Sequence, residues 1–77
     1  MEIKVGNVGK ILSGEDLGRY VKVIDDSANT GGFLIVTATG PDMREGFDSW
    51  VENGEMLRRF FEEATWDVEW SELAPQN

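Results

Sequence analysis

The sequence contains no histidine and no cysteine among its 77 residues. Without histidine there is no imidazole that titrates near neutral pH, and without cysteine there is no thiol nucleophile. The same two absences remove disulfides and the usual zinc and copper ligand sets. Most hydrolase and oxidoreductase mechanisms are therefore excluded, and we expect neither a cofactor nor a metal site.

Carboxylates are the acid and base groups that remain, and two of them suffice for a glycosidase. Such an enzyme also needs a deep substrate cleft, which a chain of 77 residues with one small core can hardly enclose. We therefore predict that the protein is not an enzyme. We expect a single domain over residues 1–70 and a flexible C-terminal tail over residues 71–77.

Long hydrophobic runs are also missing. The longest, from Phe33 to Val36, is far too short to span a bilayer. The N-terminal sequence MEIKVGNVGKIL lacks the charged, apolar and small-residue regions of a signal peptide. The absence of cysteine fits a reducing compartment. These observations predict a cytoplasmic protein.

Basic residues are scarce, with seven Lys and Arg against fifteen Asp and Glu. Residues 42–72 hold ten of the acids, three of the bases and all three tryptophans. Because affinity for nucleic acid comes mainly from cations that neutralise phosphates, we expect no binding to nucleic acid, and anionic membranes are disfavoured for the same reason. The acidic, tryptophan-rich half of the chain is the strongest indication of function.

The hydrophobic pattern predicts an α+β fold, in which an antiparallel sheet, formed by an N-terminal meander and a C-terminal strand, carries one amphipathic helix on one face. Residues 33–39 are apolar and β-branched, so we expect them to form the middle strand. Residues 47–51 fit either a strand or an irregular entry to the helix, which leaves the number of strands at four or five. The other predicted strands cover residues 8–12, 19–24 and 66–70.

The pattern predicts a helix over residues 54–64, with Asn53 as its N-cap. Its apolar residues recur on one side of the helix and should pack against the sheet. They are Met56, Leu57, Phe60, Phe61 and Ala64. Trp66, Val68 and Trp70 alternate with acids in the final strand, so we expect both tryptophans in the core.

The segment from Asp25 to Gly32 has the composition of a hairpin loop. Asp25, Ser27 and Asn29 also occupy alternate positions, as the first ligands of an EF-hand loop do. The sixth position is Thr30 instead of glycine and the twelfth is Val36 instead of glutamate, so a turn is favoured. A calcium or small-ligand site in this loop remains an alternative.

The candidate site for a binding partner is an acidic surface that includes one tryptophan. In a regular strand Trp50 lies on the same face as its acidic neighbours, where an exposed aromatic ringed by acids resembles an interface hot spot. The alternatives are that Trp50 turns inward at a bulge, and that the acids only keep the domain soluble. The predicted partner-binding residues are Asp48, Trp50, Glu52, Asp67 and Glu69.

Three segments carry a resemblance to known proteins: GKILSGEDLGRYVKV, DDSANTGG and FDSWVENGEMLRRFFEEATWDVEW. Together they span Gly9 to Trp70 and resemble small acidic bacterial proteins, some of which are similar to immunity proteins that neutralise toxin domains delivered between competing bacteria. The charge asymmetry and the predicted exposure of Trp50 lead us to expect a non-enzymatic protein-binding module whose acidic face binds a basic partner. The resemblance implies an immunity-type inhibitor as one form of this function, with a toxin or nuclease domain as the partner. A structural domain that self-associates through its sheet edges is the other class that remains open.

Overall fold

The computed structural model describes residues 2–71, which form five β-strands and one α-helix. In chain order these are β1 (Val8–Ser13), β2 (Tyr20–Asp26), β3 (Gly32–Ala38), β4 (Gly46–Val51), α1 (Gly54–Glu63) and β5 (Asp67–Trp70). The predicted α+β fold is confirmed, and the segment that was ambiguous at the sequence level forms β4. Within the described residues, no helix is long and apolar enough to cross a membrane.

The five strands form one antiparallel sheet in the order β4-β3-β2-β1-β5. The first four strands make a meander, and the C-terminal strand returns to pair with β1. The expectation that β3 lies in the middle of the sheet was wrong, because β5 adds to the far side and makes β2 the central strand. The consequence for function is that β4 and β5 are the two edges.

One face of the sheet packs against α1 and forms the core. Val21 and Val23 of β2 are fully buried there, as the alternating pattern predicts. Trp66 closes one end of this core, with its ring edge-on to Phe61 at a centroid distance of 5.0 Å. The core residues are Ile11, Val21, Val23, Ile35, Leu57, Phe61, Ala64, Trp66 and Val68.

The helix begins where predicted, since the side-chain oxygen of Asn53 accepts a hydrogen bond from the Met56 N–H at 2.9 Å. The buried side of the helix is narrower than the apolar side that the sequence predicts. Leu57 and Phe61 are buried, whereas Met56 is 36% exposed. Each helical residue is rotated by about 100° from the one before it, so Met56 turns away from the sheet when Leu57 faces it.

The last strand is fixed to the N-terminal segment. The indole N–H of Trp70 donates to the Glu2 carbonyl at 2.9 Å, and Trp70 packs against the core. Ser71, the first residue of the predicted tail, donates its N–H to the Val8 carbonyl at 2.8 Å. The remainder of that tail, residues 72–77, lies outside the described residues.

Candidate functional site

Trp50 lies on the face of the sheet opposite α1, which we call the open face. It pairs across the ladder with Leu34, while Asp48 pairs with Val36, and directly paired residues share a face. The register between β3 and β4 has no shift along its length, so the alternative of an inward turn at a bulge is wrong. The side chain of Trp50 is 49% exposed.

Although half exposed, the Trp50 side chain has a defined position. Its indole N–H donates to the Thr30 hydroxyl at 2.8 Å, which links β4 to the loop between β2 and β3. The ring lies across Gly32: a Cβ built at Gly32 would be only 2.7 Å from the indole nitrogen. Glycine thus leaves room for an aromatic ring that is exposed on one side and fixed on the other.

The structure does not bring all five predicted partner-binding residues together. Asp48 and Trp50 are on β4, and exposed Glu52 follows them directly. Asp67 and Glu69 are on β5, at the opposite edge of the sheet. Four strand spacings of about 4.8 Å put roughly 19 Å between the edges, more than twice the Debye length of about 8 Å at physiological ionic strength. The predicted acidic surface is therefore divided into two separate groups of acids, a division for which the sequence pattern gave no signal.

Acidic residues surround both edges of the sheet. Lys10 of β1 stands directly opposite Glu69 in the ladder. Around β4, residues 42–55 contain five acids and one base. That base, Arg44, already pairs with Asp42 at 3.6 Å between Nε and Oδ2. Residues 62–72 around β5 also contain five acids, with no base, so the number of charges does not distinguish the two edges.

A groove on the helix side of β4 is a feature that the sequence interpretation missed. It has a volume of about 380 Å³ and lies between β4, the end of α1 and the turn between β1 and β2. Phe47, which is 72% exposed, and Ser49 form its wall on β4. An alternating strand was expected to put Phe47 on this face, but only the placement of α1 shows that the helix leaves it uncovered.

The groove has three aromatic residues on one side and charged residues on the other. Its helix wall includes the half-buried Phe60, and Trp66 lies deeper. Glu15, Asp16 and Arg19 from the β1–β2 turn stand at the other side. Because Phe47 on its wall is 72% exposed, the groove is open on the β4 side and could receive a side chain from a partner there.

The loop between β2 and β3 uses its carboxylates in its own turn. Asp25 accepts the Ser27 N–H at 3.0 Å, and Asp26 accepts from Asn29 and from the Thr30 hydroxyl. Hydrogen bonds from the Ser27 backbone and side chain lower the pKa of Asp25 below its ordinary value. In residues 2–71 there is no group of three or more Asp and Glu placed to hold a metal ion.

Comparison of the chain with protein-family models, with curated proteins and with solved structures finds no match.

Proposed function

We propose that the protein is a non-enzymatic protein-binding module that binds a basic partner at the β4 edge, through Asp48, Trp50 and Glu52. The observation that carries this proposal is the state of Trp50, which is exposed to solvent but held by Thr30 and Gly32. A side chain that is already ordered loses little conformational entropy on binding, and tryptophan is among the commonest hot-spot residues.

The charge of this edge supports a basic partner. The acids of residues 42–55 outnumber the bases, and the same segment carries two exposed aromatics, Phe47 and Trp50. A negative surface of this kind accelerates association with a positive one and repels nucleic acid. An immunity-type inhibitor, which would occupy a basic surface such as a nuclease active site, is the specific form of this function that the sequence resemblance favours.

Two charge-matched variants test which edge binds. Asp48→Lys with Glu52→Lys reverses two charges next to Trp50, and Asp67→Lys with Glu69→Lys makes the same change on β5. In affinity capture from the source cells with quantitative mass spectrometry, we expect a basic protein to be retained by the wild type and the β5 variant and lost with the β4 variant. Equal loss with both variants, or retention by both, contradicts the assignment to β4.

The salt dependence of association supplies a second measurement with the captured partner. The on-rate should fall steeply as ionic strength rises, because steering acts over a distance set by the Debye length. Trp50→Ala should instead raise the off-rate, since it removes packing and leaves the charge unchanged.

Self-association is a second candidate function, favoured by the fact that β4 is an edge of the sheet. Sedimentation of the isolated protein at high concentration separates the two candidates. A concentration-dependent dimer that Trp50→Ala abolishes supports self-association, and a strict monomer removes it.

A further inference from the structure

We propose that the partner contributes an extended basic segment that adds to the free edge of β4 as a further strand of the sheet. This inference rests on the proposed function and specifies how the same edge binds.

The backbone of β4 offers hydrogen-bonding groups at this edge. The N–H of Thr39 donates to the Glu45 carbonyl at 3.2 Å, immediately before the regular β3–β4 ladder. Hydrogen-bonded and non-bonded pairs alternate in an antiparallel ladder, so the odd-numbered residues of β4 bond to β3. The N–H and C=O groups of Asp48 and Trp50 therefore point outward, in the direction from which a new strand approaches.

The β4 edge has few of the features that prevent strand addition. Edge strands are usually protected by proline, lysine, bulges or short length, and the six residues GFDSWV have a continuous ladder without proline or lysine. The opposite edge differs, because β5 has four residues and its ladder with β1 shifts register between Ile11 and Ser13. Of the two edges, β4 is the better template for another strand.

The two sides of β4 would receive different side chains. Residues of an added strand alternate between the two faces of the sheet, as those of β4 do. On the helix side they meet Phe47, Ser49 and the groove between β4 and α1. On the open face they meet Asp48 and Trp50, which suit an arginine because its guanidinium can pair with the carboxylate and stack on the indole. The segment that fits both sides alternates basic and apolar residues.

Charge determines which occupant the edge favours. A second copy of this chain would bring the same surplus of acids from its own residues 42–55, and each copy carries a net charge of −8. Like charges placed opposite each other destabilise a strand pair. A basic segment from another protein meets no such repulsion, so we assign the edge to it.

Two substitutions at one position separate the backbone from the charge. Asp48→Asn removes the carboxylate and keeps the outward N–H, whereas Asp48→Pro removes both. Proline is tolerated on an edge strand where its missing N–H faces solvent, so both variants should fold, which circular dichroism checks. If a strand adds here, Asp48→Pro should weaken binding of the basic segment about tenfold more than Asp48→Asn does, because proline loses the hydrogen bond and adds the bulk of its ring.

The probe is a capped peptide of about nine residues that alternates arginine and valine, a length that covers one strand. Its control has the same sequence with N-methyl groups on the residues that would donate to β4, which preserves charge and removes the hydrogen bonds. We expect the peptide to slow hydrogen exchange at the Asp48 and Trp50 amides about tenfold or more, and the methylated control to bind at least about tenfold more weakly.

Three other results of the peptide experiment would overturn strand addition. Equal binding of both peptides without amide protection means attraction by charge alone, a result that leaves the proposed function standing. No binding of the alternating peptide, or protection of the two amides by a dimer of the free protein, also overturns it. Failure of the proposed function is recognised separately, from equal behaviour of the two charge-matched edge variants.

Discussion

Replacement of Gly32 by alanine tests whether the position of Trp50 depends on the absence of a side chain beneath it. A Cβ at Gly32 would lie 2.7 Å from Nε1 and 2.8 Å from Cε2 of Trp50, and it would also press on the Val51 carbonyl. Real Cβ atoms do not approach other atoms so closely, and neither an indole ring nor a strand backbone moves away easily. Both the ring and the β4 backbone at Val51 must therefore shift to admit the Cβ.

The expected loss of unfolding free energy in Gly32→Ala is the sum of three contributions. Overpacking of a buried site costs about 1–3 kcal/mol. Loss of the hydrogen bond from Trp50 to Thr30 costs roughly 0.5–1.5 kcal/mol, and the lower chain entropy of alanine in the unfolded state returns about 0.4–1 kcal/mol. We expect a net loss of about 0.5–4 kcal/mol, to be compared with the roughly 3–5 kcal/mol available to a domain of this size.

Urea denaturation followed by far-ultraviolet circular dichroism measures the free energy of unfolding without relying on tryptophan emission. The control is Gly54→Ala in the first turn of α1, where a Cβ has no atom within 4 Å. Its stability should stay unchanged or rise by up to about 1 kcal/mol. Hydrogen exchange of the Trp50 indole N–H should accelerate in Gly32→Ala alone. If Gly32→Ala is as stable as the control and the indole keeps its protection, the contact with Gly32 does not hold the ring.

Four further predictions concern the helix, the core, the loop and the edge. Asn53→Ala removes the side-chain acceptor for the Met56 N–H and should lower the free energy of unfolding by about 1 kcal/mol in urea denaturation, whereas Asn53→Asp should keep it. Phe61→Ala removes a ring that is 2% exposed and should cost about 3–5 kcal/mol, enough to leave the chain mostly unfolded by circular dichroism at 25 °C. The hydrogen bonds from Ser27 lower the pKa of Asp25 in the folded state, so its stabilising contribution is present above the ordinary value of 3.8 and is lost as pH falls through the lower, folded value. The difference in urea midpoint between wild type and Asp25→Ala should therefore shrink as pH falls below 3.8, and a difference that stays constant contradicts a lowered pKa. Asp48→Val removes the one charged residue within strand β4 and should produce concentration-dependent association in sedimentation, while Glu69→Val on β5 should not.

Much of the fold was predictable because local patterns and tertiary structure agree. The N-cap at Asn53 and the alternation of Val21 and Val23 need no distant contact to be recognised, and both are confirmed. Strand order is different, because it depends on where the C-terminal strand pairs. The return of β5 to β1 places β2 in the centre of the sheet, and no pattern within β3 indicates this.

The candidate site was predictable only within a single strand. Alternation correctly placed Asp48 and Trp50 together on an exposed face, since both belong to β4. Asp67 and Glu69 show the same alternation in β5. Alternation describes a single strand, however, and carries no information about the distance between two strands. The groove beside Phe47 was missed for a related reason: its existence depends on how far α1 extends over the sheet.

The Asp48 carboxylate explains how the β4 edge could bind a basic strand and still not pair with copies of itself. An exposed edge with unpaired backbone groups and two exposed aromatics, Phe47 and Trp50, is a template for self-pairing. Asp48 opposes this, because in an antiparallel pair centred on it the two copies would place their Asp48 carboxylates directly opposite each other. The same carboxylate attracts a basic strand. The edge can therefore avoid pairing with its own copies without proline, lysine or a bulge, any of which would also hinder the partner. Selectivity for the basic partner over a second copy then follows from the sign of the Asp48 charge.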